Sequence, residues 1–471
     1  MSNRPLVVDL DGTLVRSDLL VETWFSLLRH RPLTAMKAVL WVFRGRAYLK
    51  QQIAARVILD VTTLPYHDQL IEYLRVQHDE GRRLVLASAS DERLVSAIAA
   101  HLGIFERVMA SDGVTNLAGA SKRDRLLKEF GAREYDYAGN APADLPVWAQ
   151  ARKAIVVDPT RGLRAAVAKT TEIERTFEDG RDRLTAFLRA LRMHQWAKNL
   201  LILVPLLASH QIGNLSLLLH TLLACLAFGL CASGSYILND LLDLESDRRH
   251  PEKRRRPIAS GSLPARQGFM LMLPLVGAGL AVGAVASAVL PAFLLLYLAS
   301  TLAYSIYVKH VALIDVFWLA GLYTLRIVAG AAVAVLWPSA WLLAFSMFLF
   351  LSLALLKRHT ELVNALPGTQ PANDRGYRQE DSELLAALGS SSGYIAVLVA
   401  GLYITSDAAR LFYERPGLLW GPCVLLLYWI SRMWLIAHRR MMSSDPVAFA
   451  VRDRVTWGVL ALSAICMIAA T

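Results

Sequence analysis

Three stretches of this chain, residues 199–239, 268–308 and 327–356, contain no Asp, Glu, Lys or Arg. Each is longer than the roughly 20 apolar residues that cross a bilayer's hydrocarbon core once, so a membrane is the solvent for much of the fold. Only 19% of the 471 residues are charged, below the roughly 25% usual in soluble domains, which excludes a wholly soluble enzyme. With 55% hydrophobic residues the chain also has too much apolar surface to remain disordered. The first 190 residues, by contrast, carry charge throughout. The expected organisation is a soluble N-terminal body followed by an all-α polytopic membrane bundle. No apolar region of signal-peptide length precedes the strand-like Leu6, Val7 and Val8, and no signal peptide is expected. Cys225, Cys231, Cys423 and Cys466 all lie in apolar runs, so neither a disulfide framework nor a thiolate zinc site is expected.

Apolar runs from Lys198 onward predict about nine spans, near 199–215, 217–238, 269–289, 291–308, 312–335, 340–356, 392–409, 418–437 and 455–470. Alternate connections differ in charge. One set is nearly uncharged; the other carries RRHPEKRRRP at 248–257, Lys309 with His310, KRHTE at 357–361, and HRR and RDR between 438 and 454. The positive-inside rule puts the basic set in the cytoplasm, and nine spans then put the N-terminal body there and the C-terminus outside; the expected location is a bacterial inner membrane. Topology and anionic lipid account for many of these cations. The net charge of +11 does not indicate nucleic acid, because the basic residues sit at loop–membrane junctions and not on one soluble face.

The run NDLLDLESD, starting at Asn239, asks for more than topology. On a continued helix Asp240, Asp243 and Asp247 fall at i, i+3 and i+7, with Asn239 four residues before Asp243, so four oxygen-bearing side chains share a face. Clustered carboxylates repel one another. A hard cation such as Mg²⁺ relieves that repulsion and binds phosphate oxygens at the same time. The plainer alternative is a solvated helix end whose acids pair with Arg248, Arg249 and Arg254. Further on, Asp315 and Arg326 lie eleven residues apart, within about 20° of one helical face. An Arg inside a span is a functional-site candidate because leaving it unpaired in lipid costs several kcal/mol; Asp315 has Lys309 as a simple partner.

These motifs resemble the UbiA superfamily of intramembrane prenyltransferases, helical bundles whose Mg²⁺–diphosphate site opens to the cytoplasm. HQWAKN at 194–199, YILNDLLDLESDRRHPEKRRRPIASG at 236–261, LKRHTEL at 356–362 and AVRDRV at 450–455 are similar to one branch, the polyprenyl-phosphate (decaprenyl-phosphate) phosphoribosyltransferases. The resemblance covers roughly residues 190–471. It implies that phosphoribosyl diphosphate loses pyrophosphate while its C1 is taken by a phosphate oxygen of a polyprenyl phosphate. It also implies that Asn239, Asp240, Asp243 and Asp247 hold Mg²⁺. Lys198, Arg254, Lys309, Lys357, Arg358, Arg452 and Arg454, with Arg326 deeper, then hold phosphates. An ordinary prenyltransferase, with one diphosphate and a phenolic acceptor, needs fewer cations. The second Asp-rich motif of ordinary members is not evident: KRHTEL stands in its place, and NDRGYRQED at 373–381 is the acidic candidate nearby.

In the soluble half, DLDGTL at 9–14 directly follows a short apolar strand. Two acids at a strand's end suit phosphoryl transfer, one attacking and the other moving a proton. LVLASAS at 84–90, YDYAGN at 135–140 and AIVVD at 154–158 end further strands, with Lys122 and Asp144 between them. Polar strand ends separated by helices indicate an α/β doubly wound parallel sheet. The pattern resembles the haloacid dehalogenase-like phosphatases over about residues 1–165. That resemblance makes Asp9 the nucleophile, Asp11 the general acid/base, and Ser88 and Lys122 the phosphate clamp. It places Asn140 and Asp144 in the acidic Mg²⁺ motif with Asp9 and Asp11; Asn140 departs from the usual Asp. Residues 15–75, with Trp24, Phe25, Trp41 and Phe43, read as a helical cap that either selects substrate or docks on lipid.

The expected divisions are therefore 1–167 for the phosphatase-like domain, 168–192 for an amphipathic juxtamembrane helix, and 193–471 for the membrane domain. Joined in one chain, they suggest transfer followed by removal of the ribose 5-phosphate. The rivals are a conventional prenyltransferase acting on an aromatic acceptor beside a regulatory domain, and a non-enzymatic membrane carrier. A homo-oligomer is left open.

Overall fold

Short apolar runs alternating with amphipathic helices fold the N-terminal part into one parallel sheet. A computed structural model describes residues 4–178, 180, 182–364, 376–442 and 445–471. Its strands are β1 (Leu6–Val8), β2 (Leu84–Asp91), β3 (Arg107–Ser111), β4 (Asp136–Gly139), β5 (Lys153–Val157) and β6 (Glu172–Phe177), in the order β3-β2-β1-β4-β5-β6. Both faces are covered. Leu6 and Val8 pack with Leu86 and Ile98 on one side, while Val7 packs with Val85, Tyr137 and Trp148 on the other. Near-continuous apolar strands follow from burial on two faces. The direction of winding reverses between β1 and β4, and such a switch point opens a crevice beyond the strand carboxyl ends. Asp9 is the first residue past β1.

The segment 168–192 departs from the expected single helix. Glu172–Phe177 joins the sheet as its sixth strand, parallel to β5, and only Arg183–Leu191 is helical. In the run EIERTF only Ile173 and Phe177 are apolar, so the β-branched and aromatic residues that favour a strand are masked by Glu172, Glu174 and Arg175.

Three cap helices follow the DLDGTL turn: α1 (Leu19–His30), α2 (Pro32–Trp41) and α3 (Arg46–Ala54). Asp18 caps α1 by accepting from the Val21 amide at 3.1 Å. Leu27, Ala35, Ala38 and Ile53 form a small core between them.

The chain divides into two compact units. Residues up to Leu191 form the first unit together with Tyr236–Met272; Arg192–Ser235 and Leu273–Thr471 form the second. The NDLLDLESD motif and its basic loop thus pack with the soluble domain. Arg248 makes a bidentate pair with Glu22 at 2.9 and 2.6 Å, with 5% and 2% of the two side chains exposed. Arg249 reaches Asp60 at 2.8 Å, and Trp24 and Phe25 meet Phe269 edge-on. Gly261, at φ +72°, lies so close that a Cβ would stand 2.8 Å from Arg16 Cβ. Glycine is required there twice over, by conformation and by space.

Six helices are long and apolar enough to cross a membrane: Leu215–Leu242, Ala265–Ala286, Ile314–Val333, Ala340–Val363, Asp381–Thr405 and Pro416–His438. A seventh span arises if Pro446–Arg452 and Arg454–Ala470, bent by 76°, count as one, and Leu290–Ile306 is a shorter apolar helix. This is an integral membrane protein, but among the described residues the nine expected spans become six or seven. One expected span, near 291–308, is the 17-residue helix Leu290–Ile306, and the other two fall at the ends of the bundle. Residues 193–208 form 3₁₀ turns and a five-residue helix with Pro205 in its first turn, so a charge-free run there is not one continuous rod. Near the C-terminus, Asp453 breaks the chain and caps the following helix through Thr456.

Candidate active sites

The strand ends of the soluble domain bring most of the expected phosphatase residues together. Lys122 Nζ donates to Asp9 Oδ1 at 2.6 Å and to the Tyr137 hydroxyl at 3.1 Å, and that hydroxyl donates to Asp144 Oδ1 at 2.7 Å. Asp144 Oδ2 accepts from the amides of Asn140 and Ala141. Asp11 accepts from the Leu19 amide at 2.8 Å, from Ser90 Oγ at 2.7 Å and from Ser88 Oγ at 3.3 Å. Asn140 lies over Gly12, whose φ is +80° and where a Cβ would fall 2.2 Å from Asn140 Nδ2; its Oδ1 accepts from Thr13 Oγ1 at 3.2 Å.

Three participants were not singled out from sequence. Ser90 stands two residues after Ser88, where the strand period puts it on the same face. Tyr137 lies inside the quoted YDYAGN. Lys50, on α3, donates to the Ala89 carbonyl at 2.6 Å and lies near Asp11; no local motif marks it.

Burial pushes the Asp9 carboxyl up to about 7, against the pull of Lys122 and with the repulsion of Asp144. Burial, then Asp18, raises Asp11 as well. Lys122 ends above its ordinary value because Asp9 and Asp144 outweigh its burial. Carboxylates held this far up lack positive charge, and an all-oxygen set of Asp9, Asp11, Asn140 and Asp144 suits a hard divalent cation. Among the described residues, no group of three or more His, Cys, Asp or Glu side chains is already converged as a metal cage.

The aspartate motif is arranged differently from the expected single face. The helix ends at Leu242, Asp243 breaks it, and a short helix resumes at Leu244. Asp240 and Asp247 converge on Arg256, at 3.1 and 2.6 Å, while Asp243 faces Arg29 of α1 at 3.1 Å. Arg29 also reaches the Leu242 carbonyl and Ser246 Oγ, both at 3.4 Å. The arginines expected as partners go elsewhere: Arg248 to Glu22, Arg249 to Asp60 and Glu245, and Arg254 is exposed. Burial raises Asp247 to about 6 in spite of Arg256, with Asp240 adding to the rise. This cluster too is short of positive charge. Asn239 is half-buried one turn before Asp243, whose amide donates to the Asn239 carbonyl.

In the second unit, Arg326 donates to Asn199 Oδ1 at 3.0 Å and to the Leu322 carbonyl at 2.6 Å. Its guanidinium lies 4.8 Å from the Tyr297 ring centre and 5.9 Å from that of Tyr323, and Lys198 approaches the same Tyr323 ring at 5.8 Å. Buried Asn199 Nδ2 has no hydrogen-bond acceptor within the described protein, a donor suited to a bound oxygen. Burial alone would raise Asp445, but Lys198 and Lys357 pull it down to about 2. Burial, with Arg192, Lys198 and Arg452, holds His194 below its usual range. Lys309 is buried, and Arg452 and Arg454 are exposed.

Arg358 does not fit the expected phosphate role. It is fully buried and bonded to Asp315 Oδ2 at 2.5 Å, Glu361 at 2.6 Å and the Tyr304 hydroxyl at 2.7 Å, so its charge is met inside the protein. Asp315 also accepts from Tyr377 at 2.5 Å. Its partners are thus Arg358 and Tyr377, while Arg326 turns to Asn199. Of NDRGYRQED, residues 373–375 lie outside the described residues; Asp381 accepts from the Arg378 amide.

Comparison with known proteins fits both halves. A profile of the UbiA prenyltransferase family matches residues 200–468, and one of haloacid dehalogenase-like hydrolases matches residues 6–148. The chain is 35% identical to an uncharacterized protein, y4nM, of Sinorhizobium fredii, over 98% of this chain and 90% of that one. It is 37% identical to nodulation protein NoeC of Azorhizobium caulinodans over 57% of this chain and 87% of that protein. It is 33% identical to a decaprenyl-phosphate phosphoribosyltransferase of Mycolicibacterium smegmatis over 62% of this chain and 93% of that enzyme.

Proposed function

We propose, for a chain that belongs to the UbiA prenyltransferase family and carries a haloacid dehalogenase-like domain at its N-terminus, two successive reactions on one membrane lipid. In the first, the C1–O bond of phosphoribosyl diphosphate breaks, the electron pair leaves with pyrophosphate, and a phosphate oxygen of a polyprenyl phosphate bonds to C1. In the second, Asp9 attacks the 5-phosphate and the ribose oxygen departs with a proton from Asp11. Water then cleaves the aspartyl phosphate, returns a proton to Asp11 and releases inorganic phosphate.

Asn239, Asp240, Asp243 and Asp247 would hold Mg²⁺ for the first reaction, and Asp9, Asp11, Asn140 and Asp144 for the second. When bound, the ion supplies positive charge to the departing pyrophosphate and to the transferring phosphoryl group. Lys122, already at Asp9, and Ser88 hold the phosphate oxygens of the second substrate. Lys198, Arg326 and Lys357, with Lys309, Arg254, Arg452 and Arg454 as further cations, answer the charge of the first. The basic connections support a reading in which both reactions face the cytoplasm at an inner membrane.

The observation that carries a two-step reading is the packing of the phosphatase cap on the transferase's aspartate motif within one unit, through Glu22–Arg248 and Arg29–Asp243. The 33% identity to a decaprenyl-phosphate phosphoribosyltransferase supports the choice of donor and acceptor. The competing reading is a prenyl diphosphate donor with an aromatic acceptor. Titrating unlabelled phosphoribosyl diphosphate against a labelled prenyl diphosphate in nanodiscs separates the two. The proposed enzyme releases pyrophosphate from the ribosyl donor; incorporation of the prenyl label into an aromatic acceptor contradicts it.

A further inference from the structure

The cap helix α2 is built inside out for a soluble domain. Leu33, Met36 and Leu40 fall within about 60° of one helical face, and they are 75%, 69% and 65% exposed. Phe43, just beyond the helix, is 86% exposed. The opposite face buries Ala35 and Ala38. A helix that turns alanines inward and large apolar side chains outward leaves a contiguous apolar patch facing something other than water.

Charge says what that is. From Thr23 to Leu59 the chain has no Asp or Glu and seven Lys or Arg residues. Arg31, Lys37, Arg44 and Arg46 among them are exposed beside the apolar patch. Bulky apolar side chains flanked by cations are the composition of helices that lie in an anionic bilayer surface. Position agrees. Within the same unit, α1 ends at the mouth of two spans: Arg29 bonds the carbonyl of Leu242, the last residue of one membrane helix, and Trp24 and Phe25 meet Phe269, in the first turns of the next. The helix that follows α1 therefore starts at the level of the lipid headgroups.

We infer that α2 and Phe43 insert into the anionic leaflet from which these spans emerge, making the cap a lipid-dipping gate that presents the phosphatase site with a phosphate ester borne by a membrane lipid. Insertion stands on the structure alone; the substrate class rests on the function proposed above. Lys50, on the helix after α2, lies near Asp11, so the gate and the phosphatase site share one set of helices.

The test uses the full chain in nanodiscs containing phosphatidylglycerol, with the native cysteines replaced. Single cysteines at positions 36, 40 and 43 carry an environment-sensitive fluorophore, with position 80 as control. Glu80 is exposed beside the amino end of β2, away from Asp9. Lipids spin-labelled near the headgroup should quench and blue-shift the first three labels and leave the fourth unchanged, for a face roughly 5–10 Å into the interface. Equal quenching at all four positions, none at positions 36, 40 and 43, or a signal that requires a second copy in the disc overturns insertion.

A second arm uses Leu33→Ser/Met36→Ser/Leu40→Ser/Phe43→Ser. It should hydrolyse p-nitrophenyl phosphate as the parent does but lose about tenfold or more of its rate on the 5-phosphorylated lipid, tenfold being the loss of about 1.4 kcal/mol of binding. An equal effect on both substrates overturns the presenting role. A parent inactive on both contradicts the phosphatase reading, while the quenching result still decides insertion.

Discussion

Removing the Glu22 carboxylate tests how firmly the soluble domain is fixed to the aspartate motif. Arg248 is 5% exposed and bonded to both Glu22 oxygens, with the Ala259 carbonyl as a third contact. Glu22→Ala leaves the guanidinium buried with that carbonyl alone. Stripping one partner from a buried pair costs about 3–5 kcal/mol, whereas replacing both by apolar groups of similar volume is often close to neutral. If the segment 244–261 opens locally, 3–5 kcal/mol corresponds to a rise of roughly 10² to several thousandfold in the open population. Hydrogen exchange measured by mass spectrometry in nanodiscs reads this directly, in peptides covering α1 and the 244–261 loop. The double variant Glu22→Leu/Arg248→Met should restore most of the protection. A single variant whose exchange stays within about threefold of the parent, under 1 kcal/mol, would refute a buried latch.

Other expectations concern the two sites. Asp243→Ala should abolish pyrophosphate release from phosphoribosyl diphosphate while sparing p-nitrophenyl phosphate hydrolysis; parallel loss of both, with the protein still folded, contradicts the assignment. In the metal-free protein burial should keep the Asp9 carboxyl titrating well above its ordinary range, and adding Mg²⁺ should bring it down, both read from its ¹³C carboxyl shift; a titration at the ordinary value without Mg²⁺ contradicts the buried site. The raised pKa also has a stability consequence. Its contribution is full below the ordinary value of 3.8 and is lost as pH rises through about 7. Thermal stability of the metal-free N-terminal domain should therefore fall between about pH 4 and 7, and Asp9→Asn should flatten that dependence. Arg358→Gln strands buried Asp315 and should lower stability by about 3–5 kcal/mol, read as loss of monodisperse protein on heating; a variant as stable as the parent with a raised KM for phosphoribosyl diphosphate would restore Arg358 to a phosphate role.

The strand ends of the candidate phosphatase site were legible because a strand puts its chemistry at fixed places. Asp9, Asp11, Ser88 and Lys122 were read from short motifs, and the structure pairs Lys122 with Asp9 and Ser88 with Asp11. Ser90 and Tyr137 stood in the same motifs, yet their bonds to Asp11, Lys122 and Asp144 depend on register between strands. Long-range partners were not legible at all. Nothing local ties Arg29 to Asp243 or Glu22 to Arg248, since those contacts exist only once the cap has packed on the loop. Spans were overcounted for a related reason. Hydropathy reports which segments avoid water, and Pro205 and Asp453 decide whether such a segment is one helix.

One measurement bears most directly on a bifunctional phosphoribosyltransferase and phosphatase: the masses of the lipid products formed in nanodiscs from a polyprenyl phosphate, phosphoribosyl diphosphate and Mg²⁺. The parent protein should yield the lipid plus a ribosyl unit without its 5-phosphate, and Asp9→Asn the same lipid with that phosphate retained. A lipid that gains no ribosyl mass with either protein, or an Asp9→Asn product fully dephosphorylated, would contradict the two-step reaction.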